Sequence, residues 1–130
     1  MVLDTSAILC VLLHEPEAAR MSASIASAGT CAISAVTWCE SLMVLAARKG
    51  QEARVAFDNL IASSSVEVVP VDAVQASIAY GAWLQYGKGR HPAGLNLGDC
   101  FSYALSRQRG EPLLFKGRDF ALTDIKQARQ

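Results

Sequence analysis

Neither sign of charge prevails in this chain of 130 residues: 12 Lys and Arg balance 12 Asp and Glu, for a formal net charge of +0. A protein that grips nucleic acid through bulk charge is thereby excluded, and any such contact must come from a local basic patch. Long apolar runs are lacking as well. The longest uncharged stretch, Met21 to Cys39, is broken by Ser, Thr and Gly at helix and turn positions and makes a poor membrane span. Met1-Val2-Leu3-Asp4 carries no basic segment and meets a carboxylate at once, which argues against a signal peptide. Cys10, Cys31, Cys39 and Cys100 show no C-x-x-C spacing and each lies in an apolar segment, so they read as small buried hydrophobes in a reducing compartment rather than a zinc site. The expectation is a cytoplasmic protein with no membrane segment. No repeat, linker or composition shift divides the chain, so residues 1–130 read as one domain, and 52% hydrophobic residues are ample for one core.

What is present is a regular alternation of short β-branched or apolar runs with helical periods. Val2 and Leu3 form a strand end, followed by a helix over Ala7 to Leu13 with Thr5 or Ser6 as its N-cap. Pro16 opens a second helix that Gly29 ends, and Thr30 to Ile33 is a second strand. Ser34 caps a third helix running to Lys49 and stopped by Gly50. Gln51 to Ala62 is amphipathic, with Arg54 and Asp58 as an exposed pair, and Val66 to Val71 is a third strand. Asp72 caps a helix through Tyr86, Asn96 caps another that stops at Gly110, and Pro112 to Phe115 is the last strand. Ala121 to Gln130 reads as a turn or helical tail. No hairpin signal intervenes. The expected fold is α/β: a three-layer α/β/α sandwich with a short, mainly parallel sheet of roughly four strands.

Isolated acids recur at corresponding places in this pattern. Asp4 and Asp119 follow strands directly, and Asp99 lies in the first turn of the Asn96-capped helix. Glu40 is the only charge between Ser34 and Ala47, on a helix apolar nearly all round, where an unpaired carboxylate would cost several kcal/mol. Capping accounts for some of these singly: Asn96 and Asp99 sit three apart, and Thr37-x-x-Glu40 matches a capping box if the helix starts late. In an open parallel sheet, however, all four positions can reach the crevice beyond the carboxyl ends of the strands. Carboxylates gathered there need cations, and hard oxygen ligands select Mg²⁺ or Mn²⁺ over zinc. The matching chemistry is metal-assisted phosphodiester hydrolysis, in which no histidine is needed as base.

Asp4-Thr5-Ser6 after the first strand, Glu40 on the third helix, Leu95-Asn96-Leu97-Gly98-Asp99 opening a late helix, and Asp119-Phe120 with Thr123-Asp124 after the last strand together resemble a PIN-domain ribonuclease. More narrowly, the chain is similar to the VapC toxins of bacterial type II toxin-antitoxin systems, almost from end to end. The resemblance implies a Mg²⁺-dependent endoribonuclease, with Mn²⁺ able to substitute, that cuts cellular RNA, is neutralised by a cognate VapB antitoxin and forms a homodimer. Asp4 and Asp99 would be the principal metal ligands, Glu40 would complete the cluster, and Asp119 would be the fourth acid; Thr5 or Ser6 would support the metal site. One departure stands out: many PIN domains carry an acid two residues before the Asp-Phe pair, where this chain has Gly117.

Lys88, Arg90, His91, Lys116 and Arg118 are candidates for holding RNA phosphates, and Tyr86 or Tyr103 for stacking a base. Trp38 and Trp83 read as core or interface anchors, and His14 as a helix-end residue. Two readings compete with the nuclease. Gly117 and the high apolar content fit a catalytically degenerate PIN-like interaction module. An acid after the first strand also fits an aspartyl-nucleophile phosphohydrolase, although Ser6 stands where such enzymes carry a second acid.

Overall fold

The structure is a computed structural model that describes residues 1–129. Four parallel strands, β1 (Val2–Leu3), β2 (Cys31–Ser34), β3 (Val66–Val69) and β4 (Leu113–Leu114), lie in the order β3-β2-β1-β4. The helices between them are α1 (Thr5–Leu12), α2 (Ala18–Ser27), α3 (Ala35–Lys49), α4 (Ala53–Ser63), α5 (Ala73–Tyr86) and α6 (Leu97–Arg109).

Because strand side chains alternate between faces, each strand feeds two cores. Val2, Ala32, Leu113 and Phe115 pack with α5 and α6, including Ala82, Tyr86, Tyr103 and Leu105. Leu3, Ile33, Leu114 and Val66 pack with α1 to α4 through Ile8, Met21, Leu45 and Phe57. The three-layer sandwich expected from the sequence is the observed one. Burying a side chain such as Ile8 or Phe57 completely, as here, contributes about 2 kcal/mol.

Ser34, Asp72 and Asn96 cap α3, α5 and α6 as expected, their side chains accepting the amides of Val36, Gln75 and Asp99. The cap of α1 differs. Asp4 itself accepts the Ser6 amide, so the helix begins at Thr5 and neither Thr5 nor Ser6 is the cap. α2 starts at Ala18 rather than Pro16, because Glu15 is held in a turn by its amide on the Cys10 carbonyl. With α3 starting at Ala35, the late capping box of Thr37 and Glu40 does not form.

Several burial expectations are corrected. The buried stripe of α3 is Thr37, Ser41 and Leu45, while Met43 is 68% exposed and Cys39 is also exposed, so only three of the four cysteines are buried. Leu97 is 74% exposed, because the first residue of α6 points off the core. Tyr86 and Tyr103 are buried against each other, with the Tyr103 hydroxyl donating to Asp124, which removes both as base-stacking platforms. The tail also departs from expectation. After a 3-10 turn at Phe120–Leu122 it runs alongside β4: the Leu113 amide donates to Lys126 and the Ala128 amide to Leu113.

Candidate active site

β1 ends at Leu3, so Asp4 emerges at the carboxyl end of the sheet, where its extended backbone also caps α1. Its Oδ2 accepts both the Ser6 amide (2.9 Å) and the Ser6 hydroxyl (2.6 Å). Its Oδ1 is buried with no hydrogen-bond partner among the described residues, and Asp4 is 2% exposed. An orphaned, buried carboxylate oxygen costs several kcal/mol unless something else supplies its positive partner.

Glu40 arrives from β2 by way of Ser34 and the first turns of α3. Thr5 donates to its Oε2 at 2.6 Å. The two hydroxyls expected to support one site therefore divide the task, Ser6 holding Asp4 and Thr5 holding Glu40. Against the other side of Glu40 lies Gly98: a Cβ there would stand 2.5 Å from both Cδ and Oε1 of the carboxyl group. A glycine in a helical first turn is unfavourable by propensity, and here it lets α6 approach the carboxylate. The same two helices are joined by a fully buried hydroxyl pair, Thr37 and Ser102, 3.0 Å apart.

Asp99 does two things at once. With Asn96 it forms a reciprocal capping box, each side chain taking the other's amide at 2.9 Å. It also faces the acids. Its carboxyl pKa is pushed up to about 7, first by burial and then by the negative charge of Asp4, with Glu40 and Asp119 adding to the rise and the Asn96 amide opposing it. Four acids distant in sequence thus share one electrostatic neighbourhood, which an oxygen-binding cation would relieve. Asp119 is its exposed member, just before the 3-10 turn, and caps nothing with its side chain. The donors are all hard oxygens and Asp4 Oδ1 lacks a positive partner, so the chemistry of this residue set fits Mg²⁺ or Mn²⁺, although among the described residues no three of these acids bring their oxygens within 4.8 Å of one another.

The basic candidates separate. Lys88 lines an apolar groove with Trp83, Asn96 and Leu97, and Arg90 lies over the Trp83 ring, 4.2 Å from its centroid, both side chains being exposed. His91 is engaged within its own loop, its Nδ1 accepting the Ala93 amide and its ring meeting Tyr86 edge on. Lys116 is tied to Glu15 and Glu17 at 2.8 and 3.0 Å, whereas Arg118 is exposed. Glu15 and Glu17 belong with Cys10 to a group of donor atoms within 4.8 Å of one another, and the Lys116 ammonium is already bound to both glutamates.

The family model of the PIN domain matches residues 1–126. The chain belongs to the PIN-domain family. Among curated proteins, this PIN domain is 45% identical over 125 residues to "Ribonuclease VapC" of Mycolicibacterium smegmatis, covering 96% of this chain and 97% of that one. It is equally 45% identical over 125 residues to "Ribonuclease VapC30" of Mycobacterium tuberculosis, with 96% and 95% covered. Among solved structures, the Mycobacterium tuberculosis VapC20 toxin, described as cleaving the sarcin-ricin loop, superposes with a TM-score of 0.79 at 23% identity over 99% of this chain and 98% of that one. That likeness is one of fold. A chain of a toxin-antitoxin complex from Klebsiella pneumoniae matches with a TM-score of 0.67 at 25% identity, over 92% and 89% of the two chains. No helix among the described residues of this PIN domain is long and apolar enough to cross a membrane.

Proposed function

We propose that this PIN domain is the toxin of a VapBC-type toxin-antitoxin pair and hydrolyses phosphodiester bonds of RNA with the help of Mg²⁺, for which Mn²⁺ can substitute. The observation that carries the reading is the buried, unpartnered Asp4 Oδ1, whose negative charge reaches Asp99, a carboxyl group with a proton affinity raised first by its own burial and then by Asp4 and the other acids. Asp4 and Asp99 are the principal metal ligands, Glu40 binds or orients the attacking water, and Asp119 is the outer acid on the solvent side. A divalent ion bound there supplies an acidified water and charge stabilisation at the leaving oxygen.

The chain's own residues do the positioning. Ser6 keeps Oδ2 of Asp4 occupied, leaving Oδ1 as the oxygen that would be available to an ion, and Thr5 fixes Glu40. Asn96 does the same for Asp99, whose Oδ2 it engages. Lys88, Arg90 and Arg118 are the exposed cations near the site that we assign to RNA phosphates. The antitoxin partner is a VapB-type protein, a reading supported by the VapC names of the 45%-identical relatives. Exposed Met43, Tyr80 and Leu97 (68, 61 and 74%) supply apolar surface for a homodimer.

The test is cleavage of total tRNA and rRNA by protein freed of antitoxin, in Mg²⁺ or Mn²⁺, with EDTA and Asp99→Asn as controls. Discrete fragments that vanish in both controls are expected. A folded protein that neither cleaves nor binds the ion would return the chain to the interaction-module reading.

A further inference from the structure

We infer that Lys116 is a positioning residue for the Asp4 carboxylate, acting through a clamp with Glu15 and Glu17, and not an RNA-binding residue; the inference rests on the metal-nuclease reading above. Two observations place Lys116 in this role. The first is its ammonium, held between Glu15 Oε2 (2.8 Å) and Glu17 Oε2 (3.0 Å) in the turn between α1 and α2. All three side chains are only about a third exposed, at 32, 29 and 35%, so the triad is screened less than an open surface pair. Glu15 accepts a hydrogen bond from the ammonium and Glu17 adds an ion pair, and the two glutamates together raise the Lys116 pKa.

The second observation is the main chain of the same residue. The Lys116 amide donates to Ser6 Oγ at 2.9 Å, and Ser6 Oγ lies 2.6 Å from Asp4 Oδ2. A backbone amide can only donate, so the Ser6 hydroxyl accepts from Lys116 and its single proton is left for Asp4. The chain of bonds Lys116 to Ser6 to Asp4 is therefore unidirectional, and each bond polarises the next. It saturates Oδ2 and leaves Oδ1 as the oxygen available to a cation.

The clamp is needed because the sheet stops early. β4 ends at Leu114, the Asp4 amide takes the Leu114 carbonyl, and Gly117 turns away with φ +104°. Between that last sheet contact and the turn carrying Asp119, Lys116 is fixed from both its main chain and its side chain. Releasing the ammonium frees the turn to move, and with it the amide that orders Ser6.

The experiment compares Lys116→Met, Lys116→Arg and the double variant Glu15→Gln/Glu17→Gln with the parent protein. Mn²⁺ dissociation constants are read by calorimetry without RNA, and RNA cleavage is read against both Mn²⁺ and RNA concentration. Lys116→Met and the double variant are expected to weaken Mn²⁺ binding about fivefold or more, leave the KM for RNA within twofold at saturating Mn²⁺, and be partly rescued in Lys116→Arg. The double variant leaves Lys116 free, so it keeps the test open if Lys116→Met fails to fold. An unchanged Mn²⁺ constant with a raised KM for RNA in Lys116→Met would overturn the inference in favour of phosphate contact. A parent protein that binds Mn²⁺ no better than Asp4→Asn would overturn the metal reading and the clamp together.

Discussion

Asp99 carries the clearest pH dependence in the molecule. Its carboxyl sits at about 7 in the fold against an ordinary 3.8, so the folded chain keeps a proton that the unfolded chain releases. Stability of the ion-free protein must then fall as pH rises from about 4 to 7 and level off above, by an amount on the order of a few kcal/mol. Asp99→Asn removes this slope and retains an acceptor for the Asn96 amide. In EDTA, its melting temperature should exceed that of the parent by a margin that opens across that window. A proton and a cation compete for the same group, so Mn²⁺ affinity should rise with pH up to about 7; calorimetry at pH 5.5 and 8 checks it. Asp4→Asn should fold, because Asn is an equally good N-cap, yet lose ion binding and cleavage. Asp99 and Asp4 are both legible in the sequence as isolated acids beside strand and helix ends. Lys116 is not, because its partners, Glu15 and Glu17, lie about a hundred positions away and no local pattern announces a pairing of that range.

At the scale of elements, the contact of α3 with α6 sets the site's depth. Gly98→Ala would drive a methyl group into the Glu40 carboxylate, and such overpacking costs typically 1–3 kcal/mol. Relief by turning Glu40 away should lower cleavage more than stability, which paired denaturation and activity measurements would separate. Thr37→Val leaves the Ser102 hydroxyl buried without its partner, at about 1–3 kcal/mol, and adding Ser102→Ala should recover part of that loss in a double-mutant cycle. The helix caps Ser34, Asp72 and Asn96 can be read directly, since each is a short polar residue before a periodic run. The first cap cannot be resolved from sequence among Asp4, Thr5 and Ser6, which are all good caps. Nor can the outward side of α3 be foreseen: its composition is apolar nearly all round, and only packing selects Thr37, Ser41 and Leu45 as the covered stripe. Gly98 does leave a trace in the sequence, as a poor helix former placed in a first turn between a cap and an acid.

For the whole molecule, electroneutrality makes RNA affinity depend on a few exposed cations. Lys88→Ala combined with Arg90→Ala should weaken RNA binding uniformly across sequences and flatten the salt dependence by about 0.7 for each phosphate neutralised by these side chains, measured as the slope of log affinity against log salt. The overall architecture follows from alternating strands and helices without hairpins. The course of the tail does not, because a few polar residues after Phe120 carry no period.

That tail closes the sheet. By hydrogen bonding to β4 through Lys126 and Ala128, it occupies the amide and the carbonyl of Leu113, which an edge strand would otherwise offer to another chain. At the opposite margin, β3 carries Glu67, 58% exposed and paired with Arg109, a charge that discourages strand addition there. Both borders of the sheet are therefore blunted against edge-to-edge aggregation, one by the tail and the other by a charged residue.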